Sequence, residues 1–205
     1  MLVNDEELVK RSKLGDVEAF EQLIARHQQK VYNIAYRLMG NPHDASDLAQ
    51  EAFIKVFKSI DKFRGEASFS TWLYHIISNV CRDELRKRSR HPVSFLDEPL
   101  VTDEGTLERE VADLRGAPEV AFEQKESDVF IQQLISTLNP EYRVVIVMRE
   151  MMGFTYEEIA GELHISLGTV KSRINRARKY LKERILAERE LCRKEERLLV
   201  ERREA

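Results

Sequence analysis

Apolar residues recur at three- and four-residue steps along most of the chain, and no run of strict alternation long enough to demand a sheet interrupts them. In a first block, from about Asn4 to Pro92, this spacing predicts four helices, each with a recognisable stop. Glu6 to Leu14 ends at Gly15 and Val17 to Leu38 ends at Gly40. Asn41 and Pro42 open the third, because Asn satisfies free backbone N–H groups and Pro fits the first turn; it runs to about Phe57 or Ile60. Its buried stripe is expected to be Ala49, Ala52, Phe53, Val56, Phe57 and Ile60. After a loop the fourth turns Phe69, Leu73, Ile76, Ile77, Val80 and Leu85 inward and ends in the basic run Arg86, Lys87, Arg88, Arg90. Its other side carries Trp72, His75, Asn79, Arg82 and Arg86 on one stripe, passing from aromatic to polar to basic.

A second block begins near Ser127 and continues through another helix-start pair, Asn139 and Pro140. From Phe154 to Lys182 it has the layout of a helix-turn-helix. Thr155 with Glu158 makes a capping box, so a short helix starts at Tyr156 and carries Ile159, Ala160 and Leu163 inward. A turn follows at His164 and Ile165, and Ser166 caps a second helix whose seam is Val170, Ile174, Ala177 and Leu181. That seam leaves outward Lys171, Ser172, Arg173, Asn175, Arg176, Arg178, Lys179 and Lys182, a face with no carboxylate of its own. A helix built for solubility usually mixes in Glu, so this face suits phosphates and bases. Arg reads guanine edges bidentately and Asn reads adenine, while Lys and Ser fix register on the backbone.

Composition changes this picture in one respect. With 42% hydrophobic and 34% charged residues, only 8 Gly and 5 Pro, the 205-residue chain is expected to be almost wholly helical, in two small domains. The net charge of -3 conceals an uneven distribution. Basic residues collect around 82–91 and 166–182, whereas 97–128 holds eleven acids against Arg109, Arg115 and Lys125, with Pro99, Gly105, Gly116 and Pro118 interrupting any helix. The chain therefore divides into 1–95, an acidic flexible linker 96–128, 129–186, and a charged helical tail 187–205 with a thin apolar seam at Leu191, Cys192, Leu198 and Leu199. No apolar run approaches a membrane span and the N-terminus is acidic, so a cytoplasmic protein is expected. Cys81 and Cys192 lie far apart, without zinc-ligand spacing, and read as helix-face residues. Asp44, Asp47 and Glu51 share a helix face that a metal-dependent bundle could use, but the Glu-x-x-His pairs such a site wants on facing helices are missing. Neither cofactor, metal nor catalytic residue is expected.

Three stretches, DASDLAQEAF, FSTWLYHI and GTVKSRINRAR, in this order and spacing, resemble the bacterial RNA polymerase sigma factors of the extracytoplasmic-function group, over most of the chain from Asp5 to about Ile185. The resemblance implies an all-α protein of two helical domains, sigma region 2 within 1–95 and sigma region 4 within 129–186. It further implies a protein that binds core polymerase and directs it to promoters through elements near -10 and -35. In that family the DASDLAQE helix docks on the coiled coil of the polymerase's largest subunit, which implies Asp47, Gln50, Glu51 and Ile54 as contacts, with a further attachment at the flap region. The loop before the fourth helix holds an extruded base of the -10 element, which implies Phe63, Arg64, Gly65 and Ser68, with Glu66 and Ala67 between them, and Trp72, Asn79, Arg82 and Arg86 from the helix. An extruded base needs stacking surface, hydrogen-bond partners and nearby positive charge, which these residue types offer. Trp72 by itself reads as core, whereas Asn79 has a helix-propensity cost with no local benefit. The second block would read the -35 element with Thr169, Lys171, Ser172, Arg173, Asn175, Arg176 and Lys179. Promoter DNA, core polymerase and an anti-sigma factor are the implied partners, with no small-molecule substrate and no insertion in a membrane. A stand-alone helix-turn-helix regulator is the alternative.

Overall fold

Every helix start for which a cap is visible is completed by a side chain that the sequence places there. The computed structural model describes residues 3–90 and 129–204, with side chains described through Glu190. The acidic linker 96–128, the start of the second block at Ser127 and the tail seam from Leu191 onward lie outside the residues or side chains so described. In the first block α1 spans Asp5–Lys13, α2 Val17–Met39, α3 Pro42–Ser59 and α4 Phe69–Arg90, with a 3-10 turn at Ile60–Lys62. In the second, a helical segment α5 covers 129–136, followed by α6 at Pro140–Glu150, α7 at Tyr156–Leu163 and α8 at Leu167–Glu204. Asn4, Asp16, Asn41 and Asn139 each accept from backbone N–H groups of the first turn that follows. Gly40 stops α2 in the left-handed conformation at φ 77°, which costs a glycine nothing sterically. Among the described residues the regular structure is all helical, as the periodicity predicts, and no helix is long and apolar enough to cross a membrane.

The core forms where the apolar stripes meet. Leu8, Leu23, Ile34, Leu38, Leu73 and Ile77 are fully buried, as are Met148, Phe154, Ile159 and Ile174 in the second block. Each such side chain contributes roughly 1.5–3 kcal/mol by leaving water. The stripe of α3 is corrected in one place: Phe57 is 58% exposed, its ring edge-on to Phe20 at 5.1 Å, and Phe53 is only half-buried. The helix buries Ala45, Leu48, Ala49, Ala52 and Val56 instead, a row at steps of three and four from which Phe57 is displaced by a hundred-degree turn. On α4, Ile76 and Leu85 are likewise half-buried, and Cys81 takes the inward place between them. Burial pushes the Cys81 thiol up to about 12.

The two blocks touch, which no single-helix periodicity could reveal. The C-terminal carbonyls of α2 are met by side chains from the second block: Gln132 Nε2 donates to Tyr36 O at 3.1 Å and Arg143 Nη1 to Leu38 O at 3.2 Å. Buried Gln132 also accepts from Arg37 at 3.2 Å through Oε1. Tyr36 O thus gains a second donor beside Gly40 N, and Leu38 O, in the last turn where the helix offers no partner, is satisfied across the contact.

Candidate nucleic-acid interface

The helix-turn-helix is built by local hydrogen bonds at its predicted places. Thr155 Oγ1 accepts from Glu158 N at 3.1 Å while Glu158 Oε2 accepts from Thr155 N at 2.7 Å, completing the capping box. The Thr155 backbone N–H holds the Glu158 carboxyl below its ordinary range. His164 closes α7 in the left-handed region at φ 53°, ψ 45°, an uncommon conformation for a side-chain-bearing residue that makes the turn tight. Ile165 N then donates back to Ala160 O at 3.1 Å. Ser166 Oγ accepts from Thr169 N at 3.1 Å and lies 2.8 Å from Thr169 Oγ1, so the Thr169 hydroxyl is engaged at the cap. Val170, Ile174 and Ala177 are fully buried against the unit's core, fixing the rotation of α8.

That rotation exposes Lys171, Ser172, Asn175, Arg176 and Lys179, as predicted, and half-buries Arg173. The expectation of a face free of carboxylates holds for the stripe but not for its surroundings. Arg173 donates to Glu141 and Arg178 to Glu150, each at 2.6 Å, both acids coming from α6. Lys179 lies 3.9 Å from Glu183. Arg176 meets only a weak contact to the neutral Tyr142 hydroxyl at 3.4 Å. These acids are more than 20 residues away in sequence or a turn beyond the stripe, so the pattern on one helix could not show them.

In the first block the loop before α4 carries the predicted aromatic surface. Phe63 packs on Trp72 at 5.1 Å between ring centroids and edge-on to Phe69 at 6.0 Å. Lys13 donates to the Phe63 carbonyl, with its ammonium 5.7 Å from that ring. Trp72 is half-buried, so it lends one side to the core and keeps another at the surface. Gly65 adopts φ 75°, and Arg64 beside it is strongly exposed, 3.9 Å from Glu66. Ser68 Oγ accepts from Thr71 N at 3.1 Å and so caps α4. Along the stripe Asn79 is exposed, its Oδ1 accepting from Arg82 Nη1 at 3.2 Å, and Arg86 is exposed near Asp83. Arg82 is different, with 8% of its surface exposed. Burial lowers the pKa of its guanidinium, an effect opposed by the charge of Glu162 from α7. Arg88 and Asp44 pair through two 2.8 Å bonds, tying the end of α4 to the start of α3.

The third predicted set, Asp47, Gln50, Glu51 and Ile54, is wholly exposed on one face of α3. Ile54 is 53% exposed, and the misassigned Phe57 extends the same face by one turn. The step from 47 through 50, 51 and 54 to 57 carries that signal, which the apolar character of Phe57 obscures.

Residues 23–91 match the family described as Sigma-70 region 2, and residues 131–181 match Sigma-70, region 4. The chain is 38% identical over 178 residues to the ECF RNA polymerase sigma factor SigW of Bacillus subtilis, covering 86% of this chain and 94% of that protein. It is 35% identical over 189 residues to the ECF RNA polymerase sigma-E factor of Escherichia coli K12, covering 89% and 95%. Its backbone is similar, with a TM-score of 0.55 at 24% identity, to the sigma factor RpoE in complex with the anti-sigma factor NepR from Bartonella quintana, over 80% of this chain and 94% of that one. This last likeness is one of fold.

Proposed function

The chain belongs to the extracytoplasmic-function group of RNA polymerase sigma factors, and from that premise we propose how its surfaces divide the work. It is a sigma factor, which binds core polymerase, directs it to promoters and promotes opening of the duplex. The α3 face of Asp47, Gln50, Glu51 and Ile54, with Phe57 added, docks on the polymerase's largest subunit. The loop of Phe63, Arg64, Gly65 and Ser68, with Trp72, Asn79, Arg82 and Arg86 of α4, captures the melted -10 strand. Thr169, Lys171, Ser172, Arg173, Asn175, Arg176 and Lys179 take the -35 duplex, with Thr169 held at the cap, the Ser172 hydroxyl donating to Thr169 O at 3.0 Å, and the rest presenting charge or amide. Residues 1–95 and 129–186 are the corresponding domains, 96–128 the linker and 187–205 a tail.

One observation carries this reading: an exposed acid-and-apolar helix face, an aromatic-to-basic stripe and a capped cationic helix follow one another in a single chain. An anti-sigma factor is the proposed regulator, because the similar RpoE is held by NepR. The work is binding in the cytoplasm, with no catalytic role. Run-off transcription with purified core polymerase on genomic fragments tests the reading. Discrete transcripts that require the chain are expected; core enzyme that initiates no better with the chain than without it would refute it.

A further inference from the structure

Glu162 belongs to the helix-turn-helix, yet both its carboxylate oxygens are committed to the other block. Oε1 accepts from Arg82 Nη1 at 2.9 Å and Oε2 lies 3.0 Å from His75 Nδ1. The side chains are 16% exposed for Glu162 and 9% for Arg82, so water does not compete freely for the pair. Phe154, which leads into α7, stacks on the His75 ring with centroids 4.4 Å apart and planes 27° from parallel. An anion whose two oxygens bridge a guanidinium and an imidazole makes the contact that a backbone phosphate makes. His75 and Arg82 lie on the α4 stripe with Trp72, Asn79 and Arg86.

The same contact conflicts with promoter binding. Elements near -10 and -35 lie about 25 base pairs apart, roughly 85 Å at about 3.4 Å per step. A helix-turn-helix whose Glu162 sits within hydrogen-bond distance of α4 cannot reach the upstream element while the first block holds the downstream one. The blocks must separate, and when they do Arg82 and His75 lose their anion at the moment a phosphate strand becomes available.

We propose that Glu162 is a built-in competitor for the promoter strand: the free chain is closed, its Arg82–His75 anion site filled by this carboxylate, and DNA backbone phosphate takes that place on opening. This rests on the reading of α4 as the strand-capturing helix. Its physical logic is exchange. A ligand that binds only the open form shifts the population toward it, and a closed form costs strand affinity in proportion to its share. Removing the Glu162 charge would leave Arg82 buried without a counter-ion in the closed form only, so that form is the one that loses.

The test uses the full chain with Cys192→Ser, dyes on Gln28→Cys and Lys182→Cys, and Cys81 left in its buried place. Helical content and melting are read first. Energy transfer between the dyes should fall in Glu162→Gln and in Arg82→Gln, each shifting the open population at least tenfold. Affinity for a 12-nucleotide single-stranded DNA pool of randomised sequence should rise at least threefold in Glu162→Gln and fall in Arg82→Gln. Transfer unchanged in both variants overturns the proposal, because the closed arrangement would then be held by the Gln132 and Arg143 contacts without Glu162, and leaves the strand reading standing. Altered transfer with unaltered strand affinity in both overturns the competition, and the strand reading with it.

Discussion

Arg176 occupies a position that its neighbours on α8 do not share. Arg173 and Arg178 are each held by an α6 carboxylate at 2.6 Å, whereas Arg176 has the neutral phenol of Tyr142 at 3.4 Å. A guanidinium already paired must give up that pair to read a base; one held loosely meets guanine at lower cost. Arg176→Ala should therefore cost about 1–3 kcal/mol of discrimination at one base position, while Lys179→Ala should weaken binding evenly and lower the salt slope by about 1. Duplexes selected from a randomised library, compared with shuffled controls across a salt series, measure both. Equal losses on selected and shuffled duplexes for Arg176→Ala would assign it to the phosphate backbone. Exposure and pairing, which decide this ranking, come from the fold; the sequence supplies only the candidates.

At the scale of single elements the starts and stops are local chemistry, which is why Asn41–Pro42, Asn139–Pro140, Thr155–Glu158 and Ser166 could be read directly. What could not be read is lateral. Phe57 belongs to the apolar alphabet but not to the buried row, and Glu162, Glu141 and Gln132 act on residues 32 to 96 positions away. The Arg88–Asp44 clasp is of this kind, joining the basic end of α4 to the first turn of α3. Hydrogen bonds from Arg88 hold the Asp44 carboxyl below its ordinary range. A folded-state pKa below the unfolded value means stability that is present above about pH 4, where the unfolded carboxyl is also ionised, and lost as pH falls through the lower folded value. Asp44→Asn should thus cost about 1 kcal/mol at neutral pH, since the pair is bidentate but only partly screened from water. Urea unfolding at pH 7 and at successively lower pH checks the sign: the gap between variant and parent should close in acid. A gap independent of pH would mean that Asp44 acts through the shape and hydrogen-bond geometry of its side chain and not through its charge.

At the scale of the whole molecule, and among the described residues, the contact between blocks uses the end of α2 and the stripe of α4, through Tyr36, Arg37, Leu38, His75 and Arg82, and leaves the outer face of α3 exposed. With the docking face and the closed chain proposed above, polymerase would meet the chain through Asp47, Gln50, Glu51, Ile54 and Phe57 before the blocks part, which gives assembly an order: docking first, separation next, strand capture last. The face suits such a first encounter, since acids at its start steer a basic partner and two exposed apolar side chains at its end bury area once contact is made. Glu51 is its most informative member. Its local partner is the exposed Lys55 at 2.8 Å, so Glu51→Arg exchanges a weak attraction for a weak repulsion, roughly 0.3–0.5 kcal/mol each way within the helix, and leaves the core untouched. Against core polymerase the same change reverses a charge at the proposed docking site and should lower affinity by at least tenfold, mostly through faster dissociation. Titrating labelled chain with core enzyme measures the loss, while binding of duplex DNA by the second block of the same variant reports whether the rest of the molecule is intact. Preserved duplex binding with lost polymerase binding assigns the face; loss of both would trace the effect to the fold, and preserved polymerase affinity would move the docking site off α3 and remove the basis for this order of assembly.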